Sequence, residues 1–498
     1  MKCALIVPAW TPEEIFPAGT AGSQINYWQP LGTLYLGACL LEAGHEVEFL
    51  DGSFLSHEDI LRRIGALKPD FAGIYSTTFG WPGAIRTAAG IKALEDRVST
   101  CVGGPYPTAV QDACLGDGCE AIDAVVVGEG EETVVEILDR LRSGRDLTGI
   151  AGVIARKGGE ILRNPPRPLI ADLDRLPFPA RELLGDRSRY IPAAGTYRRK
   201  PVALVMTSRG CDRRCIFCFQ MDRERKSGIR GVRYRSVEDV LEEIELCLRQ
   251  GYREIKFIDD SLAADRDRAM RIAAEIRRRR LDFTWFASVC ANQADRELFQ
   301  AMKDAGCWAV LIGGESGVQK NLNTIRKGVT LDRIRDAVCA AKEAGLRVTV
   351  PFIFGIPGET WDDALKTIDF AIELDPDLAN FHALTPFPGT PLHDRAAEFG
   401  TVSGNLRDFT YQGAAFVPHG MTRDEILKAR QVAFRRFYSR PSFLLRRLAA
   451  IRTRDDCRTA VTGLRSLFWL WAGRMLFRWK KPARPAAPAE RGPNRSIP

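Results

Sequence analysis

The chain has 498 residues, is 45% hydrophobic and 27% charged, and carries a formal net charge of +8. Those proportions exclude a disordered, collagenous or multi-span membrane chain, and the length suits roughly two to four globular domains. Thirteen cysteines, an odd number scattered over a long chain, do not make a disulfide framework.

Residues 1–8 are too short an apolar run for an export signal and read as a first strand. No stretch is long and apolar enough to span a bilayer. A reducing cytoplasm is therefore expected. The basic excess is concentrated between residues 435 and 495. It is not accompanied by an aromatic-rich sheet motif or zinc-finger spacing, so nucleic acid is not expected as a partner.

In chain order, residues 4–7 read as a buried strand, 31–43 as a helix and 46–50 as a second strand. A helix over 56–67, strands at 71–75, 99–102 and 124–127, and helices at 82–93 and 131–141 follow. Short apolar strands alternating with helices predict a parallel, doubly wound sheet over residues 1–150. Ligands of such sheets sit at the carboxyl ends of the strands. The loops there are Ser76-Thr77-Thr78, Gly103-Gly104-Pro105-Tyr106 and Gly128-Glu129-Gly130, whose small residues let a large flat ligand approach the backbone. Residues 151–195 are punctuated by Pro165, Pro166, Pro168, Pro177 and Pro179, which predicts an extended linker crossing the surface.

A second series occupies residues 196–400. Strands are expected at 202–207, 254–258, 284–288, 309–312, 349–354 and 378–384, with helices clearest at 237–249, 266–279, 295–305, 331–344 and 361–373. Six strand–helix units predict a (β/α) barrel, closed or part-open, with its site at the strand carboxyl ends. Residues 401–481 read as an irregular helical region and 482–498 as a disordered tail. Arginines interleaved with Leu and aromatic residues at 442–448 and 464–479 suit a helix lying on an anionic membrane, or one capping the barrel.

The chemistry-bearing feature is Cys211, Cys215 and Cys218, a C-x3-C-x2-C triplet just after the first barrel strand. Three thiolates can hold three irons of a [4Fe–4S] cube and leave the fourth open for a chelating ligand. Such an exposed cube predicts an oxygen-sensitive protein. A zinc site would need a fourth ligand, and with no second C-x2-C that ligand would have to be remote, such as Cys247 or Cys290. Two further strand ends stand out. Gly313-Gly314-Glu315 offers a carboxylate for an ammonium group, and Phe354-Gly355-Ile356-Pro357-Gly358 a face for a flat heterocycle. Asp259-Asp260, after the second barrel strand, reads either as a substrate or ribose contact or as a helix cap.

These residues carry a family resemblance. The triplet, with Phe217 before its last cysteine, resembles the cluster motif of radical S-adenosylmethionine (SAM) enzymes. Gly313-Gly314-Glu315 resembles their methionine-amino motif, and residues 353–358 resemble their adenine-contacting strand. The Gly103–Thr108 and Val127–Glu131 loops, with Leu384-Thr385-Pro386-Phe387-Pro388-Gly389, are similar to the cobalamin-binding subfamily.

The resemblance covers roughly residues 1–400. It implies a Rossmann-like cobalamin domain, a partial (β/α)6 radical SAM barrel and an α-rich C-terminal tail. The implied cofactors are a [4Fe–4S] cluster, SAM and cobalamin, served by an external one-electron reductant of flavodoxin or ferredoxin type. Glu315 would take the methionyl amine, Arg326 would pair with its carboxylate, and Phe217, Gly355 and Ile356 would complete the SAM site. Ser76, Thr77, Thr78, Gly103, Gly104, Pro105, Tyr106, Gly128, Glu129 and Gly130 would contact cobalamin.

One departure concerns the cobalt. The Asp-x-His-x-x-Gly motif that places a histidine beneath it is missing, since residues 8–16 contain no His, and Tyr106 stands where many relatives have one. Cobalamin bound without a protein histidine ligand is therefore expected.

The implied activity is methyl transfer to an unactivated carbon of a lipid, tetrapyrrole or other small metabolite. The alternatives are an oxidative cyclisation or hydroxylation with the same cofactors, and a non-catalytic electron-transfer or cobalamin-sensing protein. Membrane contact through the tail would place the protein on the inner face of the membrane.

Overall fold

The computed structural model describes residues 1–15, 26–193, 195–219, 231–449, 451 and 461. The predicted second amphipathic stretch at 464–479 and the tail at 482–498 lie outside them.

The first sheet contains β1 (Lys2–Val7), β2 (Glu46–Asp51), β3 (Phe71–Tyr75), β4 (Ser99–Gly103), β5 (Ala124–Val126), β6 (Val153–Lys157) and β7 (Glu160–Arg163), in spatial order β2-β1-β3-β4-β5-β6-β7. The first five strands are parallel. Both faces are buried because successive side chains leave the sheet on opposite sides. Ala4 and Ile6 enter one apolar layer, and Cys3 and Leu5 the other. The chain steps from β1 outward to β2 and then back past it to β3, so the strand order reverses between β1 and β3. Open α/β sheets place ligands at such a switch point.

The expected surface linker is corrected by the structure. Its first part, β6 and β7, is an antiparallel hairpin that extends the sheet beyond β5. Its second part is wedged between the domains, with Leu173, Ala180, Arg181, Leu184 and Tyr190 buried. The prolines marked extended backbone, as their fixed φ requires, but extended backbone is not the same as exposure.

The barrel strands are β8 (Val202–Val205), then, past the short antiparallel pair β9 (Ser208–Arg209) and β10 (Arg233–Tyr234), β11 (Glu254–Phe257), β12 (Thr284–Val289), β13 (Cys307–Ile312), β14 (Arg347–Phe354) and β15 (Leu378–Ala383). All six pair in parallel in the order β15-β14-β13-β12-β11-β8, without closing. Each outer helix starts at a side-chain cap: Ser236, Asp265, Asp295, Thr330 and Thr360 each accept from the amide three residues on. Such caps contribute about 1 kcal/mol each.

The two open edges are covered differently. At β8, the Gln29 side chain donates to Val202 O and accepts from Leu204 N, both at 3.3 Å, so a side-chain amide stands in for a missing strand. At β15, the helix Arg423–Tyr438 packs on the sheet. Arg430 Nε donates to Phe381 O, and Tyr438 Oη is bonded to both the amide and the carbonyl of Ala379. The region past 400 also holds a small hairpin, β16 (Gly400–Val402) with β17 (Phe416–Pro418). In the final described helix, Pro441–Ala449, Phe443 is buried while Leu445 and Leu448 are 67% and 57% exposed. Among the described residues no helix is long and apolar enough to cross a membrane.

Candidate functional site

A cavity of about 1640 Å³ lies between the carboxyl ends of the first sheet and the mouth of the barrel. Its wall includes Val7, Tyr75, Thr77, Gly103, Gly104, Pro105, Gly128, Glu129 and Gly130 from the first domain. From the barrel come Leu204, Met206, Arg209, Cys211, Ile258, Asp260 and Arg326. Pockets for drug-sized ligands run to about 1,000 Å³, so this space accommodates something larger or more than one molecule.

The cysteine loop is fastened on several sides. Asp259, wholly buried, accepts from Thr207 N, Thr207 Oγ1 and Ser208 Oγ, tying the loop's first residues to the end of β11. Arg209 forks to Glu129 and Glu131, at 2.7 and 2.5 Å. Ile216 N donates to Ile325 O and Leu392 N to Ile216 O. Cys211 faces the cavity, whereas Cys215 is buried and Cys218 half-buried. A hydrogen bond from Cys218 and the nearby Lys327 ammonium draw the Cys215 thiol down to about 7, while its partner Cys218 is pushed up. Iron ligation requires thiolates, so a cation beside the most buried sulfur favours the ligand form. Cys247 belongs to the apolar layer under the outer helices. Among the described residues no three His, Cys, Asp or Glu side chains converge on a single-ion site.

At the end of β13, Glu315 takes φ +59°, a conformation sparsely used by residues other than glycine. Its amide donates to Pro351 O and its carbonyl accepts from Ile353 N, both at 2.8 Å, which adds one more rung to the sheet beside β14. Its carboxylate accepts from Lys327 Nζ at 2.6 Å. The preceding glycines keep the Glu315–Lys327 pair and the β14 side chains uncrowded. A Cβ on Gly313 would sit 2.5 Å from Lys327 Nζ, and one on Gly314 would sit 2.6 Å from a Val350 methyl.

Lys327 is the residue that sequence reasoning missed. Arg326 was expected to pair with a carboxylate, but the structure puts Arg326 on the cavity wall and Lys327 beside Glu315 and Cys215. Arg326 takes φ +52°, and the chain turn there sends neighbouring side chains in different directions.

Phe217 packs on the barrel's apolar layer, and Ile356 is fully buried. Gly355 N and Ile356 N both donate to the Glu359 carboxylate, which also receives Asn321 Nδ2. Burial pushes the Glu359 carboxyl up to about 8. An unfolded glutamate titrates near 4.3, so between those values the native state binds the extra proton. Stability then falls as pH rises from about 4.3 to 8, by as much as about 1.4 kcal/mol per pH unit, and levels off above. Glu359→Gln, which keeps an acceptor for both amides, should flatten this slope. Urea midpoints followed by cluster absorbance, which reports on the barrel, at pH 5 and pH 8 measure it, and an unchanged slope in the variant would refute the assignment.

In the first domain the expected contacts divide. Thr77, Gly103, Gly104, Pro105, Gly128, Glu129 and Gly130 line the cavity. Gly104 takes φ +111°, and a Cβ there would lie 2.7 Å from Ser76 O. Ser76 and Thr78 are buried, with Ser76 Oγ donating to Thr77 O. Tyr106 is turned away into the apolar layer, its ring 5.2 Å from that of Trp81. The Glu129 carboxylate is fully engaged by Arg209, Arg233 and Ile170 N, which hold it below the usual carboxylate range despite burial. Its side chain therefore joins the two domains, leaving only its backbone for a ligand. None of the five histidines is among the residues lining the cavity.

Comparison with known proteins agrees with this geometry. Residues 205–371 match the radical SAM superfamily and residues 21–138 the B12 binding domain. The uncharacterized methyltransferase PH0819 of Pyrococcus horikoshii is 36% identical over 453 residues, covering 90% of this chain and 94% of its own. The anaerobic magnesium-protoporphyrin IX monomethyl ester cyclase of Rubrivivax gelatinosus is 28% identical over 443 residues, 85% of this chain and 76% of its own. The solved structure of the cobalamin-dependent S-adenosylmethionine radical enzyme OxsB, with aqua-cobalamin and S-adenosylmethionine bound, shares the fold at a TM-score of 0.71 and 17% identity, covering 94% of this chain and 72% of its own. Identity of that extent, running through both domains and added to the two family matches, makes this chain a member of the radical S-adenosylmethionine superfamily, in its cobalamin-binding branch.

Proposed function

We propose that the protein is a cobalamin-dependent radical SAM methyltransferase acting on an unactivated carbon of a small molecule. The observation that carries this reading is the single cavity walled by the cysteine loop on one side and the glycine loops on the other. Bound there, the cluster with SAM supplies radical initiation and cobalamin supplies a transferable methyl group. The residues present fit those groups. Cys211, Cys215 and Cys218 would hold the cluster, and Glu315 with Lys327 would take the amine and carboxylate of SAM. The backbone of Gly103, Gly104 and Gly128 would border the corrin. Gly313 leaves room for the Glu315–Lys327 pair, and Gly314 lets the strand end pack against Val350. With no histidine on the wall, cobalamin would bind without a protein nitrogen beneath the cobalt, and an electron paramagnetic resonance spectrum of the reduced cobalt showing histidine nitrogen coupling would refute this.

The relative named as a methyltransferase shares more identity than the one named as a cyclase, which favours methylation over ring closure. The test is anaerobic reconstitution with iron, sulfide, cobalamin and a flavodoxin or ferredoxin reductant, followed by mass spectrometry of products from lipid, tetrapyrrole and peptide pools. A gain of one methylene per product supports the proposal. Oxygen gain or hydrogen loss favours the cyclase alternative, and absence of 5′-deoxyadenosine would leave an electron-transfer or sensing role.

Lys327→Met should weaken SAM binding by roughly 10- to 100-fold, because a charge-assisted hydrogen bond contributes about 1.5–3 kcal/mol. Cobalamin affinity should not move. Anaerobic equilibrium binding reads both, and equal SAM affinity in the variant would remove Lys327 from the site.

We also propose a peripheral membrane contact through the helix Pro441–Ala449, supported by the exposed Leu445 and Leu448 beside Arg446 and Arg447. The full chain should float with anionic vesicles, and the double variant Leu445→Glu, Leu448→Glu should not. Vesicle binding that is absent, or unchanged in the variant, would dismiss the contact.

A further inference from the structure

Lys256 is a cation without a hydrogen-bonded anion on the inner wall of the barrel. Its strand neighbours Ile255 and Phe257 are fully buried under the outer helices, so Lys256 projects the opposite way, into the barrel. In register it stands between Leu204 of β8 and Phe286 of β12. Its ammonium lies 4.1 Å from the centroid of the Trp28 ring and 4.4 Å from that of Phe286. Trp28 and Leu204 both line the cavity already described, and Lys256 stands directly behind them, next to its wall.

The nearest acid on the same face is Glu254, and its oxygens are occupied. They accept from Arg198 N and Arg199 N at 2.7 Å, from Thr284 Oγ1 at 2.8 Å and from Trp308 Nε1 at 3.2 Å. Among the described residues the Lys256 ammonium has no hydrogen bond and no close ion pair; it has its two ring contacts and the through-space attraction of Glu254. Enclosing a cation is costly, and ring faces offset about 0.5–2 kcal/mol of that each without neutralising it. Burial accordingly lowers the amine to about 8. The rings fix where the head group sits and leave its charge to be met from the lumen.

We propose that Lys256 receives an anionic group, carboxylate or phosphate, carried by the substrate. This rests on the reading of the cavity as the substrate's site and narrows the substrate to an organic acid. The inner face of β11 continues upward from Lys256 through Ile258 to Asp260, in steps of about 6.6 Å per two residues. Ile258 and Asp260 both line the cavity, as does Cys211. The acid group is therefore a handle seated deep in the barrel, an apolar stretch passes Ile258, and the reacting carbon lies near the cysteine loop. A remote handle of this kind spends binding energy on orientation.

Equilibrium dialysis of the full, cofactor-loaded chain with radiolabelled octanoate, octyl phosphate and neutral octanamide tests this. One acid is expected to bind at one equivalent, to weaken at least about tenfold in Lys256→Gln, and to recover in Lys256→Arg. Which acid binds distinguishes a carboxylate from a phosphate substrate. Binding of neither acid, equal binding of octanamide, or unchanged affinity in Lys256→Gln would overturn the proposal. So would failure of Lys256→Gln to load cluster and cobalamin, since Lys256 would then serve the fold. Dialysis reads occupancy and not turnover, so failure of methyl transfer in the separate product assay would be distinguishable from failure here.

Discussion

Cys215→Ala is expected to eliminate formation of 5′-deoxyadenosine from SAM by the reduced protein while leaving cobalamin binding intact. Cys215 is the most buried of the three cysteines, and Lys327 stands close enough to favour its thiolate. Glu315 is already committed to Lys327 and Cys247 lies under the outer helices, while Cys290, which is near Lys327, belongs to a different loop from the triplet. A cube held by two thiolates would be lost or misplaced. The rate should fall by at least about a thousandfold, or about 4 kcal/mol of barrier. Cobalamin should still bind, because the first sheet has its own two apolar layers, separate from the barrel's. Iron content and chromatographic quantitation of 5′-deoxyadenosine read the first effect, and cobalamin absorbance reads the second. Cys339→Ala, an exposed thiol on an outer helix, is the control. Retained 5′-deoxyadenosine formation in Cys215→Ala would refute the cluster assignment.

Local patterns carried much of the architecture. Alternating apolar strands and capped helices were legible for both sheets, with boundaries displaced by one or two residues at most elements, as helix ends and strand ends are locally underdetermined. The cysteine triplet and the glycine pair before Glu315 were legible because their spacing is itself the chemistry. Most of the misreadings depend on contacts between residues distant in the chain. Glu129 looked like a ligand contact, but Arg209 and Arg233, some 80 and 104 residues away, claim its carboxylate. Tyr106 looked like a replacement for a histidine, yet Trp81 draws it out of the cavity. Gln29 gave no signal of covering a strand edge, since its partners are 173 and 175 residues on. Lys327 was passed over for a local reason: Arg326 itself takes φ +52°, a turn that no periodicity reveals, and it puts Arg326 on the cavity wall and Lys327 beside Glu315.

The linker offers the largest stability effect. Arg181, read from sequence as part of a surface crossing, is fully buried and paired with Glu243, itself fully buried on the helix Val237–Arg249. Arg235 also reaches Glu243, so one carboxylate serves two guanidinium groups. Glu243→Ala would strand both, though unequally. Arg235 keeps Asp239 and Met206 O, whereas Arg181 keeps only Leu204 O, and its Nε and Nη1 already lack partners. Removing one partner from a buried ion pair costs about 3–5 kcal/mol. The loss should spread to the cysteine loop, because Arg235 N donates to Thr207 O and Arg235 O accepts from Arg268. With two domains present, a single unfolding energy is not well defined, so the barrel needs its own probe. Loss of cluster absorbance on heating supplies one, and its midpoint should drop by roughly 6–20 °C. Asp336→Ala, which breaks an exposed pair with Arg333 on an outer barrel helix, should shift it by less than about 2 °C. The double variant Arg181→Met, Glu243→Met should recover most of the loss, since it removes the stranded charge and leaves Arg235 with Asp239. A Glu243→Ala midpoint within error of the parent, or a double variant no better than the single, would show that the buried pair does not hold the linker to the barrel.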